Sequence, residues 1–284
     1  MHHPVSKIAI GGVQFGLAYG VNNNQGKVSP EEVNNIINFS REAGIRTLDT
    51  ARGYGNSETV LGDADLKGWK IVSKFSARSG SELVNEFNVS LHELKLKNIY
   101  AYLAHNPEIL LGDPSLWDKL KELKELRLIE KIGFSLYYPS QLEKLLDLGY
   151  LPDLIQVQYN FLDRRFESYF DSLKSAGIEI HTRSCFLQGL FFSNSFSDFF
   201  APLENFMTEL RHFYPDKQQR ASALLGFCLS NPFINRVVIG VQSLQELKTN
   251  LKDLSLAAHE ELINITLPDI DEELLLPFNW PQRK

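Results

Sequence analysis

Eight short apolar segments, distributed over almost the whole chain, limit the possible folds more than any other feature. They recur at intervals of about 25–30 residues, and each precedes a stretch with helical periodicity. The segments are residues 8–13, 45–50, 70–75, 100–105, 131–136, 154–159, 179–184 and 236–241. Because strands that alternate with helices pair in parallel, eight such units predict an α/β fold. We expect a (β/α)8 TIM barrel, in a single domain over residues 1–284.

An open, doubly wound sheet is the main alternative fold. A sheet of that kind that binds a dinucleotide typically has a GxGxxG turn after its first strand. The corresponding segment here, residues 11–20, reads GGVQFGLAYG and does not have that spacing. The barrel is therefore the favoured fold.

The helices between the segments have recognisable ends. In residues 29–44, Ser29 is placed to cap a helix, Pro30 suits its first turn and Glu32 completes a capping box. Gly44 is expected to close this helix. Four of its residues share one face, which predicts that they are buried: Val33, Ile36, Ile37 and Ser40.

Composition excludes several kinds of partner and site. The net charge is −6, which disfavours nucleic acids and anionic membrane surfaces as partners. No apolar run approaches the roughly 20 residues of a membrane span, and the N-terminus has no secretory core, so we expect a cytoplasmic protein. Cys185 and Cys228 form no metal-binding spacing, and we expect buried thiols and no metal site.

Polar side chains lie where the predicted strands end, and in a barrel those ends form the active-site face. Asp49 ends the second strand and Tyr54 follows it, Lys74 lies near the end of the third strand, and His105 ends the fourth. Ser135 ends the fifth strand. Gln156 and Gln158 lie two residues apart on the sixth strand, so both face the barrel interior.

Lys74 and Asp49 are expected to pair, because an unpaired charge inside a barrel is costly. A lysine beside a phenol favours the tyrosinate, so we expect a lowered pKa for Tyr54. Such a tyrosine is a usable general acid for a carbonyl oxygen that becomes an alkoxide. Each residue alone has a simpler interpretation: a turn cap, a solvated cation, a rim aromatic or a structural histidine. Their joint placement favours catalysis.

These residues resemble those of the aldo-keto reductase family, over nearly the whole chain. LDTARGYGNSE (48–58) is similar to the strand-two signature of the family and contains Asp49 and Tyr54. VSKF (72–75) and AHNP (104–107) supply Lys74 and His105, which complete the Asp-Tyr-Lys-His tetrad.

The resemblance implies reduction of a small-molecule aldehyde or ketone with NADP(H) or NAD(H) as cofactor, or the reverse oxidation. Tyr54 would donate the proton, Asp49 and Lys74 would tune it, and His105 would orient the carbonyl oxygen. Ser135 and Gln156 match positions that hold the nicotinamide carboxamide.

The chain departs from the family pattern at two of these strand ends. Ser135 is followed by Leu136, where the family has asparagine. Arg183 lies where an aromatic residue normally stacks on the nicotinamide. It would either stack there or bind an acidic group of the substrate. His181 is expected one layer deeper, as a packed histidine.

The adenosine end leaves the cofactor open. Ser243 is placed to cap a helix whose N-terminus suits a cofactor phosphate. The resemblance assigns cofactor contacts to Gly240, Gln242 and Glu246, and an adenine contact to Asn250. A glutamate is unfavourable beside the 2′-phosphate of NADP, so NAD(H) competes with NADP(H).

A long connection over about residues 186–216 is rich in phenylalanine. Long insertions are often lids or binding loops, although local packing is the alternative. We expect the loop and the C-terminal tail to provide an apolar wall near the barrel mouth: Phe191, Phe192, Phe196, Phe199, Phe200 and Trp280. Asn106, where many relatives have tryptophan, would make the pocket more polar and favour a sugar or a hydroxylated carbonyl compound.

Two other functions fit the same fold. A cofactor-binding regulatory or partner protein would keep the barrel without turnover. An aldolase would use Lys74 as a Schiff-base nucleophile, although Asp49 would hold that lysine charged. The oligomeric state has no signal in the sequence.

Overall fold

Eight parallel strands close into a barrel and are paired in the order of the sequence. The structure, a computed structural model, describes residues 4–281 except 21, 22, 24, 194–196 and 253. The strands are β1 (Ile8–Gly11), β2 (Thr47–Asp49), β3 (Lys70–Phe75), β4 (Ile99–Ala104), β5 (Ile129–Leu136), β6 (Leu154–Gln158), β7 (Glu179–Arg183) and β8 (Arg236–Gly240). All eight predicted strands are confirmed, and their ends differ from the predicted ends by at most two residues.

Helices surround the barrel and connect its strands. They are α1 (Val13–Gly16), α2 (Pro30–Glu42), α3 (Ser57–Gly62), α4 (Gly80–Leu94), α5 (Glu108–Gly112), α6 (Ser115–Glu125), α7 (Pro139–Asp147), α8 (Phe170–Ser175), α9 (Glu204–Phe213), α10 (Lys217–Ser230) and α11 (Leu244–Leu251). Short 3-10 helices cover Pro4–Lys7, Glu167–Tyr169, Leu187–Phe192, Asp198–Leu203, Leu256–Asn264, Glu272–Leu275 and Pro277–Asn279.

Alternation along the strands separates two environments, as the sequence predicts. Ile155 and Val157 of β6 pack in the main core between the barrel and the helices. Gln156 and Gln158, which lie between and beyond them, are buried inside the barrel. The barrel interior is therefore lined by polar groups near its C-terminal end.

Helix α2 confirms the predicted start, with one correction. Ser29 Oγ accepts a hydrogen bond from the Glu32 N–H, and the predicted inner face of the helix is buried. The Glu32 carboxylate does not close a capping box. It accepts instead from the Leu244 N–H at 2.6 Å. Glu32 thus connects α2 to the start of α11, 212 residues away.

The long connection after β7 is mostly ordered into short helices, and its phenylalanines correct our expectation. Phe191, Phe200, Phe206 and Trp280 pack with α9, α10 and the tail in a second core, which we call the aromatic cluster. Phe199 packs against the edge of that cluster, and Phe196 lies outside the described residues. Local packing, and not a pocket wall, accounts for most of this segment.

Candidate active site

The Asp49–Lys74 pair lies at the centre of the barrel mouth. Lys74 is completely buried, and its Nζ donates to Asp49 Oδ1 at 2.7 Å and to the Thr50 carbonyl at 2.9 Å. Gln156 Nε2 donates to Asp49 Oδ2 at 2.7 Å. Each carboxylate oxygen therefore has a donor, which is the arrangement that a buried ion pair requires.

Tyr54 and His105 lie beside this pair. Lys74 Nζ is 5.1 Å from the centre of the Tyr54 ring. The rings of Tyr54 and His105 pack edge to face, with centroids 5.5 Å apart. The four side chains, from β2, β3, β4 and the loop after β2, thus converge at one point.

The loop that carries Tyr54 is fixed by a buried glutamate. Glu58 Oε1 accepts from Ser73 Oγ at 2.6 Å, and Oε2 accepts from Arg52 at 2.6 Å and from Ser90 at 3.0 Å. On the other side, Gly16 approaches so closely that a Cβ on it would lie 1.7 Å from the Tyr54 carbonyl oxygen. The tyrosine therefore has a preformed position.

The pKa of Tyr54 contradicts our expectation. Burial raises it above its usual value of 10, and the Asp49 carboxylate adds to that rise. The Nζ of Lys74 directs hydrogen bonds to Asp49 and Thr50, so its charge does not compensate for desolvation of a tyrosinate. Tyr54 is thus a protonated phenol at neutral pH.

His105 is neutral over the physiological range. Burial, with a smaller contribution from the charges of Lys74 and Arg183, lowers its pKa from 6.5 to about 3. A neutral imidazole offers one donor and one acceptor, which suits orientation of a polar ligand group.

A His105→Asn variant should lose part of the acid sensitivity of the fold. The unfolded imidazole binds a proton below about pH 6.5, whereas the folded one does so only near pH 3. Between these values the unfolded state binds more protons, so His105 lowers the free energy of unfolding as pH falls, by at most about 1.4 kcal/mol per pH unit. Urea unfolding of both proteins at pH 7, 6 and 5 measures the two slopes. Identical slopes would contradict a buried, neutral His105.

A cavity of about 1120 Å³ opens above these residues. Ten of the eleven predicted site residues line it: Asp49, Tyr54, His105, Ser135, Gln156, Arg183, Gly240, Gln242, Glu246 and Asn250. The eleventh, Lys74, is buried beneath it against Asp49. The fold therefore brings the predicted site together in one cavity.

Comparison with known proteins identifies the family of this chain. Residues 7–265 match the aldo/keto reductase family. The chain belongs to that family. It is 29% identical over 145 residues to an aldo-keto reductase of Mycolicibacterium vanbaalenii, covering 47% of this chain and 51% of the relative. It is 27% identical over 164 residues to the D-galacturonate reductase of Fragaria ananassa, covering 47% and 51%. The chain thus spans about half the length of these relatives.

Solved structures show the same fold. An aldo-keto reductase from Bacillus halodurans in its holo form superposes with a TM-score of 0.73 at 19% identity, over 93% of this chain and 94% of that one. A putative aldo-keto reductase from Pseudomonas aeruginosa gives a TM-score of 0.67 at 20% identity, over 90% of both chains. At this identity, the likeness establishes the barrel and not the substrate.

In this member of the aldo/keto reductase family, the start of α11 lies at one end of the cavity, and two carboxylates accept hydrogen bonds from backbone N–H groups there. Ser243 caps α11 as predicted, by accepting from the Glu246 N–H at 3.1 Å. Glu246 Oε2 accepts from the Gln242 N–H at 2.7 Å, and Glu32 accepts from the Leu244 N–H. The expected phosphate site at these N–H groups therefore has two acidic side chains bound to it.

Several residues of the cavity were not identified from the sequence, among them Gln14, Tyr19 and Tyr137. Gln14 and Tyr137 line it, and Gln14 Oε1 is a buried atom without a partner in the described chain. Tyr19 also lines it, in contact with Gln188. The position of Gln14 in GGVQFG, directly after β1, is a signal that strand-end reasoning had available.

We expected Asn106 to make the pocket more polar, but Asn106 does not line the cavity. Asn106 is exposed, and its Oδ1 accepts from the Glu108 N–H at the start of α5. Leu17 and five aromatic side chains line the cavity: Tyr19, Tyr137, Phe186, Phe192 and Phe278. Of these, Phe192 was predicted as part of an apolar wall. His181, one layer below Arg183, is buried with Nε2 3.5 Å from Glu179, as expected of a packed histidine.

Two further features concern partners. Among residues 4–281 outside the gaps, no helix is long and apolar enough to cross a membrane. The same residues contain no group of three acidic, histidine or cysteine side chains that would hold a metal ion.

Proposed function

We propose that this protein is a nicotinamide-dependent oxidoreductase that reduces an aldehyde or a ketone to an alcohol. The observation that carries the proposal is the buried Asp49–Lys74 pair directly beside Tyr54, at the floor of a large cavity. A fixed phenol that opens onto a cavity is suited to protonating a carbonyl oxygen.

The residues of the cavity fit a dinucleotide. Asn250 Nδ2 and Gln14 Oε1 are buried polar atoms without hydrogen-bond partners in the described chain. Because most buried polar atoms have a partner, these two are available to bind a ligand. Gly240 allows the Gln14 side chain to pack directly on the end of β8, since a Cβ on it would lie 2.5 Å from Gln14 Nε2. We assign the carboxamide to Ser135 and Gln156 and the adenine to Asn250.

In this proposal the side chains of the protein supply the proton and orient the carbonyl group. Bound NADH or NADPH supplies the hydride for the carbonyl carbon. Tyr54, which its raised pKa keeps protonated, donates to the carbonyl oxygen as negative charge develops there. His105 is neutral and orients that oxygen by a hydrogen bond. The Asp49–Lys74 pair lies beside the phenol and positions it.

The decisive experiment is titration of the purified protein with NADH and NADPH, followed by cofactor fluorescence, and then addition of a panel of aldehydes that includes sugars. We expect one cofactor to bind and to be oxidised by at least one aldehyde. Failure of both cofactors to bind would overturn the proposal. Tight binding with no turnover would favour a regulatory role, and trapping of an aldehyde on Lys74 by borohydride would favour an aldolase.

NAD(H) is the cofactor that we propose. The carboxylates of Glu246 and Glu32 lie at the start of α11, where the family resemblance assigns the adenosine ribose and its phosphate. A 2′-phosphate would meet like charge there, whereas a ribose hydroxyl can donate to Glu246. Lys248 does not compensate, because it is exposed and its Nζ lies 5.3 Å above the Phe39 ring.

Glu246→Gln is expected to improve binding of NADPH relative to NADH by about tenfold, the factor for 1.4 kcal/mol. Glutamine keeps an acceptor for the Gln242 N–H but removes the charge that opposes a phosphate. Glu82→Gln is a matched control, because Glu82 binds Ser79 and the Arg78 N–H in the same way at the start of α4, outside the cavity. Fluorescence titration gives both affinities; an unchanged ratio in Glu246→Gln would contradict this role.

Sugars or hydroxylated carbonyl compounds are proposed as substrates. The similarity to a protein named D-galacturonate reductase supports this class. The aromatic side chains of the cavity wall suit the apolar faces of such rings.

A further inference from the structure

Arg183 is a cation without an acidic partner at the rim of the cavity. It ends β7 and is partly buried. It forms no ion pair with any acidic residue in the described part of the chain. Arg52 and Arg165, which are also partly buried, each bind two carboxylates instead.

The guanidinium is held in place by neutral groups. It lies 4.4 Å from the centre of the Tyr137 ring. Nη1 donates to Gln158 Oε1 at 3.3 Å and Nη2 donates to the Leu136 carbonyl at 3.1 Å. An arginine has five N–H donors, so these two bonds leave three for a ligand.

The surroundings of Arg183 give the catalytic end of the cavity a positive charge. The Asp49 carboxylate is paired with Lys74, and His105 is neutral. Arg183 lines the same cavity as Tyr54 and His105. Glu246 lies at the other end, bound to backbone N–H groups. The guanidinium of Arg183 therefore remains beside the proposed reaction site as a positive charge without an acidic partner in the described chain.

We infer that Arg183 binds a carboxylate of the substrate, so that the substrates are aldehydes or ketones that carry an acid group and an apolar or ring-shaped body. The inference rests on the proposed carbonyl reduction. A planar guanidinium with free N–H donors matches a carboxylate in geometry. The charge of the guanidinium complements that of the carboxylate, and the aromatic wall that includes Tyr137 and Phe278 contacts the body of the molecule.

Stacking of Arg183 on the nicotinamide is the competing role. One face of the guanidinium is already covered by Tyr137. The other face would lie against a ring that becomes cationic on oxidation, which is repulsive, and the free N–H groups in the guanidinium plane would stay unmatched. A bound carboxylate satisfies those N–H groups and neutralises the charge.

The test compares 4-carboxybenzaldehyde with benzaldehyde, which differ only by the carboxylate. We expect kcat/KM for the acid to exceed that for benzaldehyde at least tenfold, mainly through KM. In Arg183→Leu this ratio should fall at least tenfold, and in Arg183→Lys it should fall less. Arg164→Leu is the matched control, since Arg164 also lies over an aromatic ring, 4.7 Å from the centre of Phe161, but does not line the cavity.

Binding of 4-carboxybenzyl alcohol, followed by calorimetry, gives a readout that does not need turnover. We expect its affinity to fall at least tenfold in Arg183→Leu and to stay within twofold in Arg164→Leu. Equal affinity in the two variants, or equal loss of kcat/KM for both aldehydes, would overturn the carboxylate site. Preference for glyceraldehyde 3-phosphate over both benzaldehydes would overturn it in favour of phosphate. If neither aldehyde is reduced but the alcohol binds through Arg183, the proposed reaction fails and the anion site stands.

Discussion

Replacing Tyr54 with phenylalanine is expected to lower kcat for aldehyde reduction by about 10²–10⁴-fold, the usual contribution of a positioned general acid. The substitution removes only the hydroxyl. The ring, which packs edge to face on His105 with centroids 5.5 Å apart, remains, so the cavity keeps its shape and the cofactor should bind with nearly unchanged affinity. Single-turnover oxidation of NADH, followed by stopped-flow absorbance, measures the chemical step directly.

A second tyrosine offers a control for this experiment. Tyr150 lies outside the cavity, and its hydroxyl makes one long hydrogen bond, 3.4 Å to the Leu110 carbonyl. Tyr150→Phe should therefore retain kcat within about twofold, because surface substitutions of this kind usually change stability by less than about 0.5 kcal/mol. If Tyr54→Phe kept more than a tenth of the activity, another group would have to supply the proton.

Lys74→Met should destabilise the fold by about 3–5 kcal/mol, because it leaves the buried Asp49 carboxylate without its counter-charge. Gln156 would then be the one remaining side-chain donor to that carboxylate among those described, at 2.7 Å. The free energy of unfolding from urea titration at pH 7 measures the loss. A loss below about 1 kcal/mol would indicate that water replaces the lysine and that the pair is not dry.

Combining Lys74→Met with Asp49→Asn separates charge from packing. The double variant has no uncompensated charge, and the asparagine oxygen still accepts from Gln156. We expect it to be more stable than Lys74→Met alone by about 2 kcal/mol, since the large penalty comes from the orphaned charge and not from loss of the pair itself. Recovery of stability without recovery of turnover would assign the pair to catalysis as well as to folding.

Much of the fold was predictable from local patterns. The eight strands are rich in apolar residues and alternate with amphipathic helices, which leaves few alternatives in a chain of this length. Prediction failed in the connection after β7, because α9 and the tail bury its phenylalanines in the aromatic cluster. Composition alone does not reveal which partner an aromatic residue will pack against.

The site was predictable where it depends on strand ends, and not where it depends on desolvation or on distant contacts. The pairing of Lys74 with Asp49 follows from their positions on neighbouring strands. The direction of the Tyr54 pKa does not, because it depends on how the side chain is enclosed. Glu32 reaches the start of α11 across 212 residues of sequence, and no local pattern indicates such a contact.

The buried hydrogen bonds of Glu58 have a consequence for how new substrate specificity could arise in this barrel. Those hydrogen bonds connect the segment after the Tyr54 loop to Ser73 of β3 and Ser90 of α4, and all of these elements belong to the first half of the barrel. The groups that hold Arg183 come from β5, β6 and the ring of Tyr137, in the second half. The two sets of contacts share no side chain in the described part of the chain, although Gln156 of β6 also donates to Asp49 of β2. We therefore expect that loops of the second half can be exchanged, by recombination or by design, without moving Tyr54, as long as Gln156 is kept.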